Sequence, residues 1–183
     1  MANDVTPHKI GEIVDFRVSD IRTDEPLEID LVLMVHHKAR SAYKNLLAPC
    51  IVEHAGLIFD KNSKAGFPGG LTQPMWDALS VDEFLSRTNA SGERAIARSV
   101  VGYCDGRQIT TFVGETHGIL AASARGERGF YWDVLFCPDD GGGKTYAEIA
   151  SSGPDGLKEK LLLSQSTKAL TLCRSISKTS KLG

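Results

Sequence analysis

One pair of adjacent polar residues stands where a sheet could present groups for catalysis. Glu53 and His54 follow the apolar run Cys50-Ile51-Val52, which predicts a short buried strand ending at this pair. Open α/β sheets bind ligands at such strand ends, where a Glu could hold Mg²⁺ and a His could act as a general base. The two residues could equally just mark the exit of the strand from the core, and composition leaves both interpretations open.

A second segment places three aromatic rings beside a carboxylate. Phe130-Tyr131-Trp132-Asp133 precedes the apolar run Val134-Leu135-Phe136. The rings could stack on a planar base while Asp133 accepts hydrogen bonds from its edge. A core strand anchored by Trp132 explains the same composition, and composition alone favours that simpler interpretation.

Two other patterns do not meet the requirements of the sites they suggest. The run Asp140–Thr145 contains Gly-Lys-Thr, but Pro138 stands where a phosphate loop of the Walker A type needs Gly. The histidines and cysteines lack the short spacing of a tetrahedral zinc site. His36 and His37, adjacent on a predicted helix, would point about 100° apart. We therefore expect Asp140–Thr145 to form a turn, and we expect no metal centre built from the histidines and cysteines.

Hydrophobic periodicity and turn residues predict a mixed order of helices and strands. The predicted helices are Leu27–Leu46 (starting at Asp24-Glu25-Pro26), Pro74–Arg87, a short turn over Thr145–Ile149, and Asp155–Ile176. The predicted strands are Ile10–Val18, the run before Glu53, a hairpin of Ser99–Cys104 and Gln108–Val113 around a type I′ turn at Asp105-Gly106, and a third strand, His117–Ala122. Residues 65–70 are predicted to form a loop, and residues 175–183 a frayed tail.

The composition is that of an ordinary globular protein. The chain has 183 residues, 42% hydrophobic and 24% charged, which predicts a single α/β domain over residues 1–183. With 21 basic and 23 acidic residues, it lacks the basic surplus of a nucleic-acid-coating protein. No signal peptide or membrane-spanning run is visible. The four cysteines contain no CxxC pattern, so we expect free thiols and a cytoplasmic location.

Taken in order, these segments resemble the inosine triphosphate pyrophosphatase family, also called the Ham1 family, from about Val14 to Leu172. Motifs from five regions carry the resemblance: Val52–Leu57, Phe67-Pro-Gly-Gly70, the hairpin ending in Gly114-x-Thr116-x-Gly118-Ile119, Phe130-x-Trp132-Asp133-x-x-Phe136, and Thr145-Tyr-Ala-Glu148. The resemblance implies a Ham1-like α/β fold, with a twisted mixed sheet, a long hairpin, flanking helices and two lobes around a nucleotide cleft.

The resemblance also implies an activity. Family members hydrolyse non-standard purine nucleoside triphosphates (ITP, XTP, dITP) to the monophosphate and pyrophosphate with Mg²⁺, and are commonly homodimers. Carried over by position, Phe130 and Trp132 would stack on the base and Asp133 would bond to its edge. A second set would serve the phosphates and the metal: Lys160 and Ser164 would contact phosphates, and Glu53 would hold Mg²⁺. Nucleic acid and membrane partners are not expected.

Several positions depart from the family pattern. His54 stands where the family has a second acid, and Ser164-Gln165-Ser166 replaces Ser-His-Arg. Tyr131 replaces a Gly and Val134 a Pro, while Thr6-Pro-His-Lys9 retains little of the family's phosphate loop. The base-reading end is thus largely kept, whereas the phosphate and metal end is altered.

Three hypotheses remain from the sequence. The chain could be a working pyrophosphatase in which Glu53 holds Mg²⁺, His54 is the substitute base and Lys160 neutralises phosphates. It could bind a purine nucleotide or nucleoside without this reaction. It could also catalyse a different reaction on a smaller purine derivative.

Overall fold

The computed structural model of the chain describes residues 17–127 and 130–179. Within these ranges lie six α-helices and five strands, joined by turns and short 3₁₀ segments. The helices are α1 (Leu31–Leu46), α2 (Thr72–Ala78), α3 (Val81–Thr88), α4 (Tyr146–Ala150), α5 (Gly156–Leu163) and α6 (Gln165–Thr179). The strands are β1 (Cys50–Phe59), β2 (Pro68–Gly69), β3 (Arg94–Cys104), β4 (Ile109–Leu120) and β5 (Phe136–Pro138). Most of the strand predicted over Ile10–Val18 lies outside the described residues.

The strands form one sheet in the order β2-β1-β3-β4-β5. All four pairings are antiparallel, so the prediction of a mixed sheet is wrong for the described residues. β1 runs for ten residues along β3, from Cys50 opposite Cys104 to Phe59 opposite Ala95. The predicted end of this strand at Glu53 is therefore wrong too, because Glu53 lies inside the ladder.

The long hairpin of β3 and β4 differs from the prediction at its turn and in its length. Gly106 has φ +92°, whereas Asp105 and Arg107 do not have positive φ, so the turn is not type I′, which requires two such residues. Instead, the Asp105 carboxylate accepts hydrogen bonds from the backbone N–H groups of Arg107 and Gln108. β4 continues to Leu120, so no separate third strand exists at His117–Ala122.

The helix boundaries follow local capping. α1 begins at Leu31 rather than Leu27, because the Asp30 carboxylate accepts the N–H groups of Val32 and Leu33. The predicted helix Pro74–Arg87 is split into α2 and α3, because Ser80 and Glu83 form a capping box that starts a new helix at Val81.

The last helical segment is likewise broken. Ser164, with extended backbone angles, separates α5 from α6, so the single predicted helix Asp155–Ile176 is two helices. α6 continues to Thr179, which corrects the prediction of a frayed tail as far as that residue. Residues 180–183 lie outside the described part.

Helices cover both faces of the sheet. We call the side carrying Ala97, Ser99 and Val101 the α6 face, because α6 packs there, with Ala169 and Gln165 against Gly114, the residue opposite Ser99. The largest hydrophobic cluster extends along this face and includes Trp76, Phe84, Trp132, Phe136 and Tyr146.

The opposite side, with Val100 and Gly102, is the α1 face. Val35 of α1 approaches Gly102 so closely that a Cβ there would lie 2.5 Å from Cγ1 of Val35. Among the described residues, no helix is long and apolar enough to cross a membrane.

Candidate active site

A buried ion pair lies at the centre of the predicted base-binding segment. Asp133, in a 3₁₀ turn over Tyr131–Val134, places Oδ2 2.6 Å from Nζ of Lys160, in the last turn of α5. The two side chains are only 7% and 15% exposed. Lys160 Nζ also lies 5.2 Å from the ring centre of Phe130 and 5.4 Å from that of Tyr146. We call these four residues the Asp133 cluster.

Burial and charge oppose each other at Asp133. Burial raises the pKa of its carboxyl, and Lys160 offsets only part of this rise through its charge and hydrogen bond. At a separation of 2.6 Å the two groups form a hydrogen-bonded pair in a low-dielectric pocket, where hydrogen bonds to a ligand are strong.

The two rings predicted to stack on a base have different environments. Phe130 is 41% exposed and presents a ring surface beside Lys160. Trp132 is 2% exposed and packs edge-on against Phe136 at 5.8 Å, as a core anchor would. In this conformation only Phe130 of the two has a ring surface available to a ligand.

Tyr131, where the family has Gly, has φ +29°, a region that side-chain-bearing residues rarely adopt. Its ring packs edge-on against Phe130 with the centroids 4.5 Å apart. The departure from the family pattern thus adds an aromatic neighbour to the one exposed ring.

Tyr146 is the fully buried member of the Asp133 cluster, and no role was predicted for it from the sequence. It follows Thr145, which forms a capping box with Glu148, so the Thr-Tyr-Ala-Glu motif is first of all a helix start. Burial raises the pKa of Tyr146, so its phenol stays protonated and donates to the Leu163 carbonyl and to Gln165 Oε1.

Ser164 lies at the break between α5 and α6, four residues after Lys160. It is 4% exposed, and its Oγ accepts the N–H of Ser166. The hydroxyl predicted to contact phosphate therefore serves as a helix cap in this structure. The break is held to the sheet by Thr116, whose hydroxyl donates to the Leu163 carbonyl at 2.6 Å.

Glu53 and His54 lie on opposite faces of the sheet, because neighbouring residues of a strand alternate. Glu53 lies on the α6 face, where its Oε1 accepts a 2.6 Å hydrogen bond from Ser99 Oγ. His54, opposite Val100, lies on the α1 face. The expectation that the two side chains form one site is wrong.

His54 belongs instead to a second cluster with Glu25 and Lys38, which we call the His54 cluster. His54 Nδ1 is 3.6 Å from Glu25 Oε2, and Lys38 Nζ is 2.8 Å from Glu25 Oε1. His54 is 7% exposed, and its buried Nε2 has no hydrogen-bond partner among the described residues. Buried polar atoms are almost always paired, so this nitrogen is a position where a water or a ligand atom could complete the pairing.

Sequence reasoning missed Glu25 and Lys38. In the sequence, Glu25 stands only as an acidic residue at the start of the predicted helix Leu27–Leu46, and Lys38 as one of the residues within that helix. The sequence did hold one indication: Lys38 falls on the inward side of the predicted helix, and a buried lysine needs an acidic partner for its charge.

The Pro-Gly loop brings the Glu25 segment to the sheet. The Gly70 N–H donates to the Ile29 carbonyl at 2.9 Å, just before α1. A Cβ on Gly69 or Gly70 would lie 2.1 Å from the Ile29 carbonyl oxygen or 2.2 Å from that of Glu28. Glycines are therefore required for this close approach.

The protonation states in the His54 cluster follow from burial and from Lys38. Burial lowers the pKa of His54, and Lys38 lowers it further against the opposing effect of Glu25. Burial alone would raise the pKa of Glu25, but Lys38 and His54 lower it overall. Near neutral pH the cluster thus holds a carboxylate, an ammonium and a neutral imidazole that can take a proton.

The donor set near His54 limits how a metal could bind. The described residues contain no group of three His, Cys, Asp or Glu side chains arranged to hold a metal ion. Mg²⁺ is commonly bound by only one or two carboxylates, with substrate phosphates and water completing the shell. The Glu25 carboxylate, 37% exposed, fits that mode, whereas an imidazole is a poor ligand for Mg²⁺.

Comparison with known proteins agrees with this arrangement of motifs. The Ham1 family model matches residues 6–174, beginning earlier than the expected Val14. A dITP/XTP pyrophosphatase of Methanopyrus kandleri is 35% identical over 161 residues, covering 87% of this chain and 78% of that protein. Inosine triphosphate pyrophosphatase 2 of Trypanosoma cruzi is 31% identical over 165 residues, covering 89% and 78%.

Solved structures show the same fold. The Ham1 protein of Staphylococcus aureus superposes with a TM-score of 0.69 at 20% identity, covering 88% of this chain and 82% of that one. A HAM1 protein from Coxiella burnetii gives 0.68 at 21% identity, covering 86% and 81%. The predicted Ham1-like fold is confirmed, and the chain belongs to the Ham1 family.

Proposed function

We propose that this chain hydrolyses non-standard purine nucleoside triphosphates to a monophosphate and pyrophosphate. The observation that carries the proposal is the buried Asp133–Lys160 pair beside the exposed ring of Phe130. The relatives named for dITP, XTP and inosine triphosphate support the same substrate class. A cleft between two lobes stays a prediction.

The Asp133 cluster suits a keto purine. Such a base carries N1–H, which the Asp133 carboxylate can accept, and O6, to which Lys160 can donate. In that same register adenine would place an unprotonated N1 against the Asp133 carboxyl and an amino donor against Lys160, which is a mismatch at both positions. Phe130 would stack on the base, and Trp132 would support this region from the core.

The His54 cluster suits the phosphate end. Lys38 would bind phosphate oxygens, and His54 Nε2 would take the proton of a water that attacks the α-phosphorus. The new bond joins the water oxygen to that phosphorus, the bond to the bridging oxygen breaks, and pyrophosphate leaves. Mg²⁺, which Glu25 would hold, supplies neutralisation of phosphate charge when bound.

Three roles expected from the sequence stay proposals of lower rank. For Lys160 to bind phosphate, its ion pair with Asp133 would have to break. For Ser164 to do so, its hydroxyl would have to release the hydrogen bond from the Ser166 N–H. Glu53 as the metal ligand would place the metal on the α6 face, away from His54. Comparing Glu25→Gln with Glu53→Gln separates the two metal assignments.

The test is a turnover assay of ITP, XTP, dITP, ATP and GTP with Mg²⁺, measuring monophosphate and pyrophosphate. We expect His54→Gln to lower kcat about 100-fold or more, as for loss of a general base. Glu25→Gln should raise the Mg²⁺ concentration needed for half-maximal rate, while Glu53→Gln should leave it nearly unchanged. Equal turnover by wild type and His54→Gln would refute the base assignment.

A second candidate is a purine nucleotide- or nucleoside-binding protein without this reaction. It is favoured by the presence of His54 where the family has an acid. Thermal stabilisation by IMP or inosine without turnover of any triphosphate would support it. His54→Asp discriminates further, because restoring the acid should raise activity if this residue alone limits the rate. If neither turnover nor binding is seen, a different reaction on a smaller purine derivative gains support.

We also propose a cytoplasmic homodimer. The family resemblance supports the dimer, and the four free cysteines, Cys50, Cys104, Cys137 and Cys173, support a reducing compartment. Light scattering coupled to size-exclusion chromatography measures the mass directly, and a monomer at high concentration would rule out the dimer.

A further inference from the structure

A basic groove lies apart from both clusters, between the C-terminal half of α1 and the turn that joins β3 to β4. Its volume is about 520 Å³, within the range of small-molecule sites. Three basic side chains line it: Arg40 and Lys44 from α1, and Arg107 from the turn. His36 of α1 lines it as well, and none of its lining residues is acidic.

This charge arrangement is costly for the helix that carries it. Arg40 and Lys44 are spaced four residues apart and share one side of α1, where like charges one turn apart destabilise a helix. The Lys44 ammonium alone is explained by the negative end of the helix dipole. Arg40 lies a turn further in and Arg107 on another element, so the dipole accounts for neither.

Among the described residues, few carboxylates lie where they could compensate the positive charge of the groove. In the described part of the chain, the ion pair formed by α1 joins Lys38 to Glu25, on another side of the helix. Asp105 is attracted to Arg107, but its carboxylate already accepts two backbone N–H groups of the turn. The groove thus keeps an excess of positive charge in a chain whose net charge is −2.

The two walls of the groove are held together by close packing. A Cβ on Gly106 would lie 2.2 Å from the hydroxyl oxygen of Tyr43, so the turn rests directly on this α1 side chain. Gly106 also has φ +92°, which glycine adopts without strain. The turn that carries Arg107 is therefore fixed against the helix that carries Arg40.

We propose that this groove binds a small phosphorylated anion with at least two negative charges. Guanidinium groups pair with phosphate through two parallel hydrogen bonds, and Arg40 and Arg107 can do so from opposite walls. Lys38 lies two residues from Arg40, about 200° around the helix, so the groove is distinct from the His54 cluster. The proposal goes beyond the pyrophosphatase activity and does not depend on it.

The test is an NMR titration with inorganic pyrophosphate that follows the backbone amides of Gly106, Arg107 and Gln108. A second titration with IMP distinguishes free pyrophosphate from a phosphoryl group on a nucleotide. We expect saturable shifts, with affinity weakened about tenfold or more in Arg40→Gln/Lys44→Gln. The control variant Lys144→Gln/Lys158→Gln removes the same charge from exposed positions elsewhere and should bind as wild type does.

Shifts that do not saturate with either probe would overturn the proposal. So would equal weakening in the test and control variants, because it would indicate general charge attraction. Arg107→Gln changes the turn rather than the helix, so it is an independent test, and it should also weaken the binding of pyrophosphate. Its dispersed amide spectrum would verify that the variant is folded.

Discussion

At the scale of single residues, burial decides the charge state of the groups that matter most. Asp133 and His54 are both more than nine-tenths buried, and burial shifts each toward its neutral form. For Asp133 the direct ion pair with Lys160 opposes that shift. For His54 the nearby Lys38 reinforces it. Two similarly buried groups therefore lie in different electrostatic environments, one beside a cation that favours its charged form and the other beside a cation that disfavours it.

Removing Lys160 should destabilise the fold in a pH-dependent way. Lys160→Gln removes the opposition to burial, so the pKa of Asp133 rises further above its unfolded value. The folded state then binds more protons, and stability falls as pH rises from the unfolded pKa through the folded one. Near neutral pH we expect a loss of about 3–5 kcal/mol.

Urea denaturation at about pH 5 and pH 7 measures this effect. Lys158→Gln, an exposed change on the same helix, is the control and should cost little. A Lys160→Gln loss that is the same at both pH values would show that Asp133 does not titrate in this window.

His54 should give the opposite slope. Burial and the nearby Lys38 hold the pKa of His54 below its ordinary value of 6.5, so the unfolded state binds more protons just below that pH. Wild-type stability should therefore fall between about pH 7.5 and pH 5.5, and His54→Gln should flatten this dependence. His37→Gln, an exposed neighbour, should keep the wild-type slope. Parallel curves for wild type and His54→Gln would contradict the buried neutral state.

At the scale of elements, the two-residue period of β1 separates what the sequence places side by side. Glu53 and His54 are adjacent in the chain, yet the first lies on the α6 face and the second on the α1 face. The same strands carry glycines where helices approach: Gly114 beneath α6 and Gly102 beneath α1. The positions of the helices, and hence of the clusters, depend on these contacts.

Gly114→Ala tests the seating of α6. The added Cβ would lie 2.1 Å from the Gln165 carbonyl oxygen and 2.4 Å from the Ala169 nitrogen, both backbone atoms that cannot rotate away. We expect a loss of about 1–3 kcal/mol in denaturation experiments, as for overpacking elsewhere. Val113→Ala, at an exposed neighbouring position, should cost less. If Gly114→Ala is no more destabilising than this control, α6 does not pack here as closely as described.

At the scale of the whole molecule, ligand binding should be visible as a gain in stability. A ligand that binds only the folded state stabilises it in proportion to the logarithm of its concentration over Kd. The Asp133 cluster predicts that IMP raises Tm more than AMP does, because only the keto base satisfies both Asp133 and Lys160. Asp133→Asn should reduce this preference, since an amide can donate to the adenine N1 that a carboxylate rejects. Equal shifts for the two nucleotides in wild type would contradict base selection by this cluster.

The sequence by itself determined the family, the α/β class and the long hairpin, because those depend on local motifs and on hydrophobic periodicity. It also placed the helix at Thr145 correctly, since a capping box is a local signal. It could not find the partnership of Glu25, Lys38 and His54, whose members come from a loop, a helix and a strand. Nor could it place Glu53 and His54 on different faces while the strand was expected to end between them.

Only the tertiary structure decided which polar residues meet and which rings stay exposed. Trp132 and Phe130 are near neighbours in one motif, yet packing buries the first and leaves the second beside Lys160. The physical reason is that side-chain burial and pairing depend on contacts between distant segments, such as Asp133 with Lys160 and Gly114 with α6. Local sequence preferences determine where helices and strands form. The packing of the helices against the two faces of one sheet determines which charged side chains come together.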